Sequence, residues 1–147
     1  MALNFEKYAQ EGNAFINNLA KELEHPEETA RAGMVLRAVL HSLRERITIS
    51  ESLHLLSQLP MFLKAIYADN WKFREKPLKI NTKEEFINEV EEHQKQFGEQ
   101  DFNWNKSTEE IIRIVFKTLD IYVSKGEFQD ITDQLPKELK DLLQERV

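Results

Sequence analysis

Cysteine is absent from this 147-residue chain, which removes disulfides, thiolate nucleophiles and cysteine-based zinc or iron–sulfur sites together. That composition fits a reducing compartment, and a cytoplasmic location is expected. Glycine and proline are scarce, four of each, so neither a turn-rich β fold nor a long disordered linker is expected. Gly12, Gly33, Gly98 and Gly126 also stand too far apart to cradle a phosphate. No apolar run approaches the roughly 20 residues needed to span a bilayer. The opening Met1-Ala2-Leu3-Asn4-Phe5-Glu6 lacks the basic region and apolar stretch of a secretory signal, so no membrane association is expected. Positive charge is in deficit as well. Of 20 basic and 26 acidic groups, residues 1–70 carry 7 and 9, which leaves 13 and 17 for residues 71–147. A net charge of −6 spread over both halves argues against a nucleic-acid partner, whose footprint is normally a basic face.

What the chain does contain is a repeat. Residues 31–67 overlay residues 107–143 without a gap at an offset of about 76 residues. At that offset Arg37, Val39, Leu43, Glu51, Gln58, Leu59 and Pro60 meet identical residues, Arg113, Val115, Leu119, Glu127, Gln134, Leu135 and Pro136. One supersecondary unit therefore occurs twice. The expected fold is all-α: two tandem, pseudo-symmetric four-helix repeats packed into one compact helical body. Residues 1–69 form the first repeat, 70–81 an extended connector and 82–147 the second repeat.

The helical assignment rests on periodicity and caps. Phe5, Tyr8, Gly12, Phe15, Ile16, Leu19 and Leu23 fall at three- and four-residue steps, one apolar stripe on a helix. Pro26 suits the first position of a second helix, about 27–46, which is apolar around much of its circumference and so expected to be central. Thr48–Glu51, Ser124–Glu127, Thr82–Glu85 and Ser107–Glu110 each place a hydroxyl three residues before a glutamate, the form of a capping box. Each Gln-Leu-Pro then opens a fourth helix, about 60–68 and 136–146. Phe86, Ile87, Val90 and Phe97 repeat the first-helix stripe.

The run Phe62-Leu63-Lys64-Ala65-Ile66-Tyr67, then Asn70-Trp71-Lys72 and Glu85-Phe86-Ile87-Asn88-Glu89-Val90, together with both Gln-Leu-Pro sites, resembles a bacterial family. It is catalogued as domain of unknown function 2267. The resemblance covers nearly the whole chain and implies an all-helical protein of two related halves. It implies no catalytic residues, because no activity is established for the family.

Candidate chemistry is thin. Glu22-Leu23-Glu24-His25 has the Glu-x-x-His spacing of di-iron carboxylate bundles, but such a centre needs a second pair, and Val90 stands three residues before His93. Pro26 follows His25, which places that histidine at a helix end, in water. His41 and His54 are replaced by Lys117 and Asp130 in the second copy, which suggests surface or boundary positions. No metal and no cofactor are expected. Arg37 and Arg113, equivalent members of the two most apolar helices, either face a shared anion or form structural ion pairs, and the second is favoured. Trp71 and Phe73 alternate with Lys72, Arg74, Lys76 and Lys79, a pattern that suits a polyanion, although lysines pointing outward from a packed seam explain it more simply. Phe97, Phe102 and Trp104 flank a loop peculiar to the second copy and could form an apolar groove for a partner. The expectation is a non-catalytic interaction or scaffold module, binding a protein partner or itself through Trp71, Phe73, Phe102 and Trp104. The alternative is a sensor or enzyme with a pocket between the repeats, using Arg37 and Arg113.

Overall fold

In the computed structural model, which describes residues 3–72, 76, 82–96, 104–121 and the single positions 129, 133, 137 and 140, the chain begins with helix α1, Phe5–Glu22. Asn4 caps it by accepting a hydrogen bond from the backbone N–H of Lys7 at 3.0 Å. Phe15, Leu19 and Leu23 lie fully buried on its inner face, as the stripe predicts. Phe5 does not join them and is 72% exposed. Among the helices α1 packs on is α4, Met61–Ala68.

Helix α2, Thr29–Arg46, is the central element. Ala32, Val35, Leu36, Val39, Leu40 and Leu43 are all buried, and α2 packs on α1, α4, α5 and α6. Its start differs from expectation. Pro26 lies in a turn, not in the helix, because the Glu28 N–H closes back on the His25 carbonyl at 2.9 Å and Glu24 takes a positive φ of 68°. The helix then begins after Glu28, whose side chain is engaged elsewhere.

The Thr48–Glu51 capping box forms in full. The Glu51 N–H donates to Thr48 Oγ1 at 3.1 Å and the Thr48 N–H donates to Glu51 Oε1 at 2.7 Å. It opens α3, Ile49–Gln58. Pro60 stands just outside α4 as its N-cap. Helix α5, Lys83–Gln96, follows the Thr82 cap, and α6, Thr108–Asp120, follows the Ser107 cap. Phe86 and Val90 of α5 and Ile112, Val115, Phe116 and Leu119 of α6 complete one continuous core.

The described residues thus give a compact, six-helix body without a strand. Among them no helix is long and apolar enough to cross a membrane. The Ser124–Glu127 cap, the second Gln-Leu-Pro, Phe73, most of the 70–81 connector, Phe97 and Phe102 lie outside the described residues.

Candidate functional site

The face where α2 meets α5 gathers the most polar chemistry. His41 and Glu45 lie one turn apart on α2, and Glu89 and His93 lie one turn apart on α5. A four-residue step places both members of each pair on one helix face. The His41 and His93 rings meet edge to face, with centroids 6.0 Å apart. His93 directs Nε2 at two carboxylates at once, 3.3 Å from Glu45 Oε2 and 3.3 Å from Glu89 Oε1. His93 is 7% exposed, and its other ring nitrogen, Nδ1, is buried with no hydrogen-bond partner among the described residues.

His41 is buried, not at the surface or boundary expected of it. Its Nε2 faces the Ile66 carbonyl at 2.9 Å, and since a carbonyl only accepts, Nε2 carries the hydrogen. Burial pushes its pKa down to about 4, with the nearby Arg44 guanidinium acting in the same direction and the Ile66 contact opposing. The ring is a neutral wall beside His93 at ordinary pH.

Arg44 fixes the same end of α2. Its guanidinium donates to the carbonyls of Tyr67, Asp69 and Asn70 and lies 5.8 Å from the Trp71 ring centroid. Helices end with carbonyls that lack intrahelical donors. Arg44 therefore supplies the cap that α4 lacks in its own sequence, and Asn70, at φ 54°, turns its carbonyl into the fork. Below it, Tyr67 Oη and Ser52 Oγ share a buried hydrogen bond of 2.7 Å, and burial pushes the phenol pKa well up.

Residues 12–142 match the family described as uncharacterized conserved protein DUF2267. The chain belongs to that family. No curated protein matches it. The match takes in His41, Glu45, Glu89 and His93, so the whole cluster belongs to the DUF2267 region.

The residues singled out from sequence have other surroundings in this DUF2267 chain. Arg37 is ion-paired with Asp69, and Arg113 with Glu109 one turn back at 2.7 Å. Trp71 is half-buried, edge-on to Tyr67. Trp104 is 6% exposed, donates Nε1–H to Glu28 Oε2 at 2.9 Å and is stacked by His25 at 4.7 Å. His25 thus lies against an aromatic ring and 2.9 Å from Glu28, not in open water. The two tryptophans serve different ends of the body. Phe73 and Phe102 lie outside the described residues.

Sequence reasoning passed over Glu45, Glu89 and Arg44, and set His93 aside because Val90 stands three residues before it. For the cluster a signal was available: His41-x-x-x-Glu45 and Glu89-x-x-x-His93 are four-residue pairs, whereas the Glu-x-x-His spacing of di-iron bundles is three residues. Arg44 gave none, because it stands in the charged run Arg44-Glu45-Arg46 that resembles a solvated helix end.

Proposed function

We propose that this DUF2267 protein is a non-catalytic interaction module that meets a protein partner, a second copy being the first case, through α3. The observation that supports this is a pair of large aliphatic side chains left outside. Ile49 is 37% and Leu53 58% exposed, one turn apart on the same helix face. Trp71, half-buried, is the tryptophan with surface left for a partner. Two aliphatic side chains supply far less than the roughly 800 Å² per partner of a stable interface. The association is therefore weak and concentration-dependent.

Sedimentation velocity over a dilution series tests it. The expected result is reversible self-association that Leu53→Glu weakens at least about tenfold with no change in melting temperature. A chain that stays monomeric at high concentration, with cross-linking unaffected by Leu53→Glu, would rule this reading out.

A second reading is a sensor or enzyme with its site between the copies. It is favoured by the cluster of His93, Glu45 and Glu89, which joins α2 to α5.

A further inference from the structure

We propose that Glu45, Glu89 and His93 bind one divalent transition-metal ion of the zinc class between α2 and α5. This rests on the second reading above and names its ligand. The α3 contact is independent of it.

Three observations carry the assignment. The first is the spacing. One donor atom from each residue lies within 4.8 Å of the other two, and both contacts of His93 Nε2 measure 3.3 Å. Charge-assisted N–H···O contacts usually close to about 2.7–2.9 Å. Metal–ligand bonds of about 2.0–2.1 Å in tetrahedral array instead place neighbouring donors roughly 3.3–3.4 Å apart. Both His93 contacts therefore have the spacing of neighbouring donors in a coordination shell and are long for charge-assisted hydrogen bonds.

The second is the donor arithmetic. Nε2 can hold a single hydrogen, yet two carboxylate oxygens converge on it. One proton cannot serve both at full strength, whereas one cation is attracted to all three donors at once. His93 is more than nine-tenths buried, and its polar contacts with Glu45 and Glu89 are both made through Nε2.

The third is the scaffold. Glu89 and His93 are held at a four-residue step on one helix, the spacing by which paired helical ligands chelate zinc. Glu45 comes from α2, and α2 and α5 are packed directly on each other. The three side chains keep 17%, 27% and 9% of their surface, in the order Glu45, Glu89, His93. Three protein ligands with one side toward solvent leave a coordination position for water or a small ligand. One imidazole with two carboxylates suits zinc and its first-row neighbours. It is a poor set for copper(I), which prefers sulfur, and for magnesium or calcium, which prefer all-oxygen shells.

The test uses the full chain, stripped with a chelator and titrated with Zn²⁺ by calorimetry and with Co²⁺ by visible absorption. The expected result is one ion per chain, tetrahedral Co²⁺ bands, and a raised melting temperature with Zn²⁺ that Mg²⁺ does not reproduce. Glu89→Gln and His93→Gln should each weaken Zn²⁺ binding at least about tenfold, while His54→Gln, at an exposed position, leaves it unchanged. Circular dichroism checks that each variant is folded, and Glu89→Gln carries the test if His93→Gln is not. Absent Zn²⁺ binding, or binding that survives Glu89→Gln intact, overturns the proposal. A panel of nucleotides and carboxylic acids separates the two readings. An organic ligand whose stabilisation is lost in Glu89→Gln would overturn the metal and keep the site, whereas no dependence on Glu89 for any ligand would remove both.

Discussion

Trp104 donates its indole N–H to the Glu28 carboxylate at 2.9 Å across 76 positions of sequence. This bond ties the segment before α6 to the turn before α2. It is also the largest influence holding the Glu28 pKa below its ordinary 4.5, with Arg31 and His25 adding to it and desolvation opposing. A depressed carboxylate stabilises the fold above its unfolded pKa, and the contribution fades as pH falls through the folded value. Trp104→Phe should move the Glu28 titration back toward 4.5, read by carboxyl carbon NMR. Trp104→Ala, which also empties a buried ring site, should cost about 3–5 kcal/mol in urea unfolding.

Arg44 makes a second prediction. Replacing it with Met leaves the Tyr67, Asp69 and Asn70 carbonyls without their donor and should cost about 3 kcal/mol. Arg44→Lys should recover only part, because an ammonium lacks the planar fork that reaches three oxygens. Asn70→Val should add strain of about 1–2 kcal/mol at a positive φ, while Asn70→Gly stays near neutral. Chemical denaturation of the four variants checks the order.

His41 gives the pH dependence. Its folded pKa of about 4 lies below the ordinary 6.5, so between those values the unfolded chain binds more protons than the folded one. The stability it contributes is complete above pH 6.5, falls as pH drops toward 4, and is constant below that. The loss should reach about 3 kcal/mol. His41→Gln keeps a donor for the Ile66 carbonyl and should flatten this limb in unfolding curves measured at pH 7, 5.5 and 4.5.

The capping box supplies a local check. Thr48→Ala removes the oxygen that accepts from the Glu51 N–H and should cost about 1 kcal/mol. Ser57→Ala, at an exposed position, should cost much less. Thermal melts of the two variants give the comparison.

Among the described residues, the sequence by itself determined that the helices form and where several of them start, though not the start of α2. The three- and four-residue spacing of Phe15, Leu19 and Leu23, the all-round apolar character of α2, and the Thr48, Thr82 and Ser107 caps are local features. Backbone hydrogen bonds and side chains a few residues away enforce them, so they are legible without the rest of the chain. Phe5 marks the limit, since its place on the stripe did not reveal that it stands 72% exposed. Which polar groups meet was decided only by the tertiary structure. Arg44 reaches the end of α4, Trp104 reaches Glu28, and Glu45 reaches His93 across 48 positions. Each depends on how α2 lies against its neighbours. The four-residue pairs on α2 and α5 were visible as spacing, but spacing on one helix cannot say that two such faces are turned toward each other. Packing of α2 against α5 through their apolar residues makes that choice, and the polar cluster is carried along with it.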